Sequence, residues 1–347
     1  MVSPIICNAI VYSSILALLS IGLTLTYMTT RVPNFAHASF AIVGSYVTWT
    51  VVEHSLLSKI NALINAGVSR SELILSIQKF TIGVNDYVMF IVISFIVSGL
   101  VAAIQYILVL KPLKDRGCNL IGLMIATLAF DLLVVAGVNI YADVMERKFN
   151  DFLNILNKKA SFMLPVLISS RDFTFMSYDM LKSGLHKVVI ASPVITAIVL
   201  ITLALVLVKT RFGVALRASI ENPLLASVLG VDINKMYLAS WFICGGIAGI
   251  AGSLIPMEFL TNPTLGEVLI VSIFAASVVG GLDSLYGALM GGALVGLSET
   301  LGMNALVTYF GVNPGYKPII PLAIIAATLL FFPEGIAGFI NTKILKR

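Results

Sequence analysis

Charge is scarce in this chain of 347 residues. Only 11% of it is Asp, Glu, Lys or Arg, against about 25% in soluble domains. With 59% hydrophobic residues and a mean hydropathy of +1.01, that scarcity excludes an ordinary soluble class. No Gly-Lys dipeptide occurs, so the chain has no G-x-x-x-x-G-K-[ST] loop for nucleotide phosphates. The histidines, His37, His54 and His186, are scattered, and no serine sits in a nucleophile-elbow context. A catalytic constellation is therefore not expected. Cys7, Cys118 and Cys244 lie far apart, in or beside apolar runs. They offer no metal spacing or disulfide pair and read as small apolar packing residues. No cofactor or metal is expected. The net charge of +5 is spread over short loops, which excludes nucleic acid as a partner and fits cytoplasmic Lys and Arg. The first apolar run lacks a basic leader and is long enough to span, so no cleavable signal is expected.

Long apolar runs are what the chain has. They cover Ile6–Met28, Phe40–Leu57, Tyr87–Leu110, Leu120–Ile140, Val188–Val208 and Met236–Ile255. Two glycine-rich runs follow, Val268–Gly281 and Tyr286–Val307, and a last one begins at Tyr316-Lys317-Pro318 and ends near Pro333-Glu334-Gly335. The expectation is an all-α polytopic membrane bundle, one domain over 1–347, with about eight or nine spans in a bilayer and with broken helices. Leu73, Ile77 and Phe80 are spaced for an amphipathic surface helix. Residues 141–187 carry charges of both signs, and the alternation of Phe162, Leu164, Val166 and Ile168 predicts a short strand. Lys111, Lys114 and Arg116, then Lys209, Arg211 and Arg217, then Lys343, Lys346 and Arg347 fall on one side, near span ends. That side is expected to be cytoplasmic, with the N-terminus and 141–187 outside and the C-terminus inside.

A polar island at 209–236 interrupts the apolar second half. Phe212 to Ile220 suits a short helix. Glu221-Asn222-Pro223 breaks it, because the residue before proline is pushed out of the helical region. Asn222 is a good N-cap and Pro223 fits the first helical position. Leu224, Leu225, Val228 and Leu229 then keep helical spacing, and Gly230 sits where a positive-φ stop is expected. A short helix with an apolar face and a charged approach from Arg217 and Glu221 has the pattern of a helix laid into a partner's groove; folding back on its own bundle is the alternative.

Two small-residue regions, Val32–Gly44 and Gly280–Gly292, predict interrupted segments in the two halves of the chain, a pointer to a pathway at membrane depth. On this reading Asn34, Phe35, His37, Ser39, Thr127, Asp131, Gly280 and Gly281 line the substrate path. Each has a plainer role open to it. His37 and Asn34 can satisfy freed backbone groups at a helix break. Asp131 sits mid-span, where a charge has to pair, face the interior or take a proton. Glu299 is read in the same way. The GxxxG spacings Gly287/Gly291 and Gly292/Gly296 read as close helix packing.

These motifs also carry a resemblance. Arg217-Ala218, Glu221-Asn222-Pro223, Ala226, Leu229 and Gly230-Val231 resemble the cytoplasmic coupling loop of ATP-driven importer permeases. Asn34-Phe35-Ala36-His37 with Gly44-Ser45-Tyr46, and Val279-Gly280-Gly281-Leu282-Asp283-Ser284 with Gly287-Ala288 and Gly291-Gly292, resemble the two signatures of the branched-chain amino-acid importer permeases (H-type). Lys111-Pro112-Leu113 and Pro333-Glu334-Gly335-Ile336 match in place and order. Ala38-Ser39 depart from the family's glycine and acidic residue, and Thr127-Leu128-Ala129 with Asp131 from its Thr-hydrophobic-Gly step. The resemblance implies a non-enzymatic transport subunit of the cell membrane working by alternating access. Its implied partners are two ATP-binding cassette subunits, a sister permease or second copy, an extracytoplasmic binding protein, and membrane lipid. The ATPases would dock on 211–232, through Arg217, Glu221, Asn222, Pro223, Leu224, Leu225, Val228 and Gly230. The rivals are a proton-coupled secondary carrier of small polar solutes using Asp131 or His37, and a membrane enzyme, for which no constellation is seen.

Overall fold

The computed structural model describes residues 3–160, 169–181, 185–332 and 335–338. The strand expected at Phe162–Ile168 lies outside them, as do Pro333, Glu334 and the C-terminal basic residues. Among the described residues the fold is all-helical, and its β content is two isolated bridges.

In chain order the helices are α1 (Pro4–Thr30), α2 (His37–Asn65), α3 (Arg70–Gln78), α4 (Val84–Gln105), α5 (Lys111–Asp115), α6 (Leu120–Ala160), α7 (Lys187–Lys209), α8 (Arg211–Glu221), α9 (Pro223–Val228), α10 (Ile233–Leu254), α11 (Leu265–Gly280), α12 (Leu285–Phe310) and α13 (Ile319–Phe331). A π-helical turn, Tyr106–Leu110, joins α4 to α5. Among the described residues, six helical stretches are long and apolar enough to cross a membrane: Pro4–Thr30, Val84–Asp115, Leu120–Lys158, Lys187–Lys209, Ile233–Met257 and Pro314–Gly338. This is fewer than the eight or nine expected, for physical reasons. α2 carries Glu53, His54 and Lys59 along its length, α12 is rich in glycine, and α11 has only 16 residues.

The bundle has two distinguishable ends. At the first, which we call the loop end, Val32, Tyr106, Leu110, Leu123, Tyr237 and Trp241 form a small apolar cluster. The Tyr237 hydroxyl donates to the Ser219 carbonyl of α8 at 3.2 Å, and Arg31 pairs with Asp283 in the turn between α11 and α12. At the other end, residues 169–181 and 185–186 form a cap. The amide of Phe175 donates to the Pro256 carbonyl at 2.6 Å, and Phe173 bridges Thr261. Asp179 is buried, accepts from the Tyr87 hydroxyl (2.5 Å) and the Val188 amide (2.8 Å), and so ties the cap to α4 and α7. Burial pushes its carboxyl above the usual range, against the pull of those hydrogen bonds and of Lys187 and His186. The expected surface helix is α3. Its Leu73 and Ile77, with Phe80 just beyond it, turn inward, and Ser69 and Glu72 close a capping box at its start.

Small residues hold the centre. α10 crosses α2 and α4 at the closest range that helices allow. A methyl group added at Gly252 would collide with the Ala41 backbone, and one at Gly44 with Gly249. Hydroxyls then finish the contact: Ser45 donates to the Gly252 carbonyl at 2.7 Å and Ser98 to the Phe40 carbonyl at 2.9 Å. The GxxxG pairs also pack within the chain. Gly287 and Gly291 meet Gly280 and Ala276 of α11, while Gly292 and Gly296 meet Ala17 and Ser13 of α1. Such close approach gains dispersion and hydrogen bonding where lipid supplies no hydrophobic drive. Glu299 is buried on the same helix, accepting from the Tyr12 hydroxyl at 2.9 Å and facing Lys317 at 3.4 Å.

Candidate functional site

Two regions gather the residues singled out in the sequence. The first is the pair α8–α9 at the loop end. Thr210 caps α8 through the Gly213 amide (3.0 Å), and the side chain of Asn222 accepts from the Leu225 amide (3.0 Å) to start α9. Asn222 is extended, as a residue before proline should be. Gly230 has φ +86 and ends the element, with the Val231 amide returning to the Ala226 carbonyl at 3.0 Å. Asp232 then caps α10 through the Lys235 amide, and that hydrogen bond holds its carboxyl below the usual range. Leu216 and Ser219 of α8 and Ala226 of α9 point inward. Leu224, Leu225, Val228 and Leu229 point out, at 57–82% exposure. Arg217 and Glu221 are both exposed and form no ion pair with each other among the described residues.

The second region lies between the ends. After α1 reaches the loop end, residues 31–36 turn back into the bundle, and α2 begins beside the middle of α1. There the buried His37 ring packs on Gly22 and its Nε2 meets the Leu19 carbonyl at 3.0 Å. Asn34 is buried, and its side-chain oxygen accepts from the Ala36 amide (3.2 Å) and the Gln105 amide group (3.1 Å). The Phe35 amide donates to Thr127 at 3.3 Å, and Ser39 donates to Asp131. Asn34, Phe35, His37, Ser39, Thr127 and Asp131 are thus brought together by α2 and α6. Gly280 and Gly281 are elsewhere. They make the contact with Gly287 and the turn at the loop end.

The break that faces His37 comes instead from 255–264. Once α10 has reached the cap, the chain re-enters and α11 starts in the interior. Gly266 lies beside Ala38 and Ser39, and Phe274 stacks on Phe35 with ring centroids 5.0 Å apart. Two half-helix starts running to opposite ends therefore meet. Facing half-helix starts of this kind are a feature of transporter folds, where unwound backbone is tolerated inside the protein. Among the described residues, Asn34 Nδ2, His37 Nδ1 and Gln105 Oε1 are buried there without a hydrogen-bond partner. Gln105, missed in the sequence, stands immediately before the π-helical turn. A lone amide in an apolar run was its only signal. What the region offers chemically is hydrogen bonding and positive helix ends, and no group of three metal-ligating side chains occurs among the described residues.

No solved structure matches the chain. A protein, probably the branched-chain amino acid transport permease LivH, of Methanocaldococcus jannaschii is 38% identical over 98% of this chain and 93% of its own. BraD of Pseudomonas aeruginosa, a high-affinity branched-chain amino acid transport system permease protein, is 25% identical over 95% of this chain and 94% of its own. LivH of Escherichia coli is 24% identical over 95% and 94%. These relatives and the apolar helices make the chain a multi-pass membrane transport subunit and not an enzyme, and they favour that reading over a proton-coupled carrier. The model of the branched-chain amino acid transport system / permease component family matches residues 5–329, and the chain belongs to that family.

Proposed function

We propose that this chain is the permease subunit of an ATP-driven importer of branched-chain or closely similar amino acids, and that α8–α9 is where the ATPases push. The observation that carries this is α9. Leu224, Leu225 and Val228 stand outward on a six-residue helix, with Leu229 just beyond it, and the Asn222 cap and the Gly230 stop fix its two ends. So short a helix gains little from its own hydrogen bonds. An apolar face left in water is costly, and a groove on a partner removes that cost. In this reading the loop end is cytoplasmic, which places the N-terminus outside and the C-terminus inside. The cap receives substrate from an extracytoplasmic binding protein. Counting α12, and α2 and α11 with the irregular segments before them, brings the six to about nine crossings, with the half-helix starts at mid-depth. The substrate passes between those starts, where Asn34, His37 and Gln105 have hydrogen bonds to give and the positive helix ends suit a carboxylate. The permease works as a pair, with itself or with a sister subunit.

The test is Leu224→Asp with Leu225→Asp. Both side chains are exposed, so the chain should still fold and reach the membrane. Copurification with the ATPase subunits should fall at least about tenfold, as expected for the loss of two apolar anchors. Undiminished association would remove α9 as the docking element.

A further inference from the structure

Glu53 is a carboxylate that the fold buries and does not partner. It lies on α2 toward the cap, is 3% exposed, and among the described residues neither of its oxygens has a hydrogen-bond partner. One turn earlier, the buried indole N–H of Trp49 is also unpartnered. Both side chains line a cleft of about 180 Å³ between α2 and the outer half of α6. Lys148, Phe149 and Phe152 form the opposite wall, and Thr50 lies beside them. Glu146, on the same helix but not in the lining, is engaged by the Ser170 amide and hydroxyl at 2.7 Å. Lys148 is exposed and forms no ion pair among the described residues.

Each part constrains the occupant. A buried carboxylate is costly unless a cation or hydrogen-bond donors meet it. A hard metal ion would need some six or more oxygen ligands, and this cleft supplies one carboxylate. An organic ammonium needs less, and aromatic faces beside the carboxylate add to its attraction. Lys148, on a flexible stem at the mouth, supplies the opposite charge. Between the two charges the walls are mostly aromatic and apolar, with Thr50 and His54 as the other polar lining residues. At about 180 Å³ the cleft is below the 300–1,000 Å³ typical of drug-sized ligands and suits a smaller molecule.

We propose that this cleft is a binding subsite for a zwitterionic amino acid with an apolar side chain. The α-ammonium sits on Glu53, the α-carboxylate on Lys148, and the side chain lies against Phe149 and Phe152. The proposal rests on the reading of the chain as an amino-acid permease. It adds a station near the cap, apart from the half-helix starts, at which substrate is held before it moves inward.

Tryptophan fluorescence reads the cleft directly, because the chain has two tryptophans and the other, Trp241, is buried at the loop end. The full chain in lipid nanodiscs is titrated with L-leucine, with 4-methylpentanoate, which lacks the ammonium, and with isopentylamine, which lacks the carboxylate. Leucine should give a saturable change that Trp49→Phe abolishes. Both truncated analogues should bind at least about tenfold more weakly, the effect of losing one charge-assisted contact. Glu53→Gln should weaken leucine about tenfold. Lys148→Ala, at an exposed position with little risk to folding, should bring leucine level with isopentylamine. Absence of a saturable change in the parent chain, or leucine curves unaltered in both variants, overturns the subsite. Leucine uptake by cells carrying the whole importer is measured in parallel. Uptake retained with unaltered curves removes the subsite alone. No leucine uptake by the parent importer removes the amino-acid reading beneath it.

Discussion

α10 and α9 are separated by four residues and built on opposite rules. α10 is packed with glycine, alanine and serine, and from Cys244 to Leu254 every residue is buried. α9 is rich in leucine and valine, and its one buried residue is Ala226. Small residues stand where backbones must touch, and large apolar ones where nothing in the chain covers them. The contrast separates two jobs. At α10 side-chain volume is excluded so that the bundle can close. At α9 side-chain volume is left exposed, and in the proposed function it is what the ATPases close on. A substitution should therefore damage folding in the first place and association in the second.

Gly252→Val is the most severe way to break the comparison. The new side chain meets the Ala41 backbone, which has no rotamer to yield, and the Ser45–Gly252 hydrogen bond lies at the same crossing. The loss should be about 3 kcal/mol or more, at the upper end of overpacking. The measurement is thermal unfolding of the purified chain, where the midpoint should fall by more than about 5 °C, together with the amount of chain in the membrane. A midpoint unchanged by Gly252→Val would mean that α10 and α2 are not in contact as described.

Val228→Lys should do the reverse. Val228 is 82% exposed and packs on nothing that a lysine would displace. The unfolding midpoint should stay within about 1 °C, since surface changes away from special features are worth about 0.5 kcal/mol or less. Substrate-stimulated ATP hydrolysis by the assembled importer should drop about tenfold, the cost of one buried anchor in a docked helix. If stability falls along with activity, α9 packs on its own bundle and the contrast is lost.

How far each region could be read from the sequence follows from the range of the forces that shape it. α8 and α9 were legible almost residue by residue, because caps, prolines and positive-φ glycines act over three or four neighbours: Asn222-Pro223 and Gly230 needed no tertiary information. The break before His37 was legible because Asn34 and His37 are polar within apolar runs. Its counterpart was misplaced. Glycine density drew attention to 280–292, yet there the glycines serve packing on α1 and α11. The real re-entry is marked by Pro256 and Asn262-Pro263, which look like an ordinary loop in one dimension. Glu53 is harder still. It reads as a charge inside a span, and only the approach of α6, about ninety residues away in the chain, makes it buried and lines its cleft. The two half-helix starts meet through long-range packing, which no local pattern records.

Asn222→Ala sharpens the contrast from inside α8–α9, the knuckle at the loop end. It removes the acceptor of the Leu225 amide and leaves the four apolar side chains unchanged. An N-cap of this kind is worth about 1 kcal/mol. In a helix this short that is enough to raise the fraying of α9 several-fold without touching the bundle. Hydrogen exchange at 224–229 should quicken about fivefold while exchange in α10 stays as it was, and coupled ATP hydrolysis should fall about two- to fivefold. Equal quickening in α10 would show that the knuckle and the packed core unfold as one unit.

Asp283→Asn tests the smallest term, and it lies where the two regions share an end. Asp283 pairs with Arg31 and so joins the end of α1 to the turn between α11 and α12, but the two side chains are 57% and 69% exposed. Exposed pairs of this kind contribute about 0–1 kcal/mol, so the unfolding midpoint should move by less than about 2 °C. The turn itself is held by other means. Gly281 takes a positive φ, its amide returns to the Ser277 carbonyl at 2.9 Å, and Ser284 starts α12 by accepting from the Gly287 amide at 3.1 Å. If the pair is ordinary surface charge, leucine uptake should stay within about twofold of the parent. A drop beyond about fivefold at an unchanged midpoint has a different meaning. It says that the pair is made in one state of the transport cycle and broken in another, since an interaction present equally in both states cannot alter their balance. The turn after α11 would then belong with α9 among the parts that move, and the line between held and offered surfaces would run through the loop end.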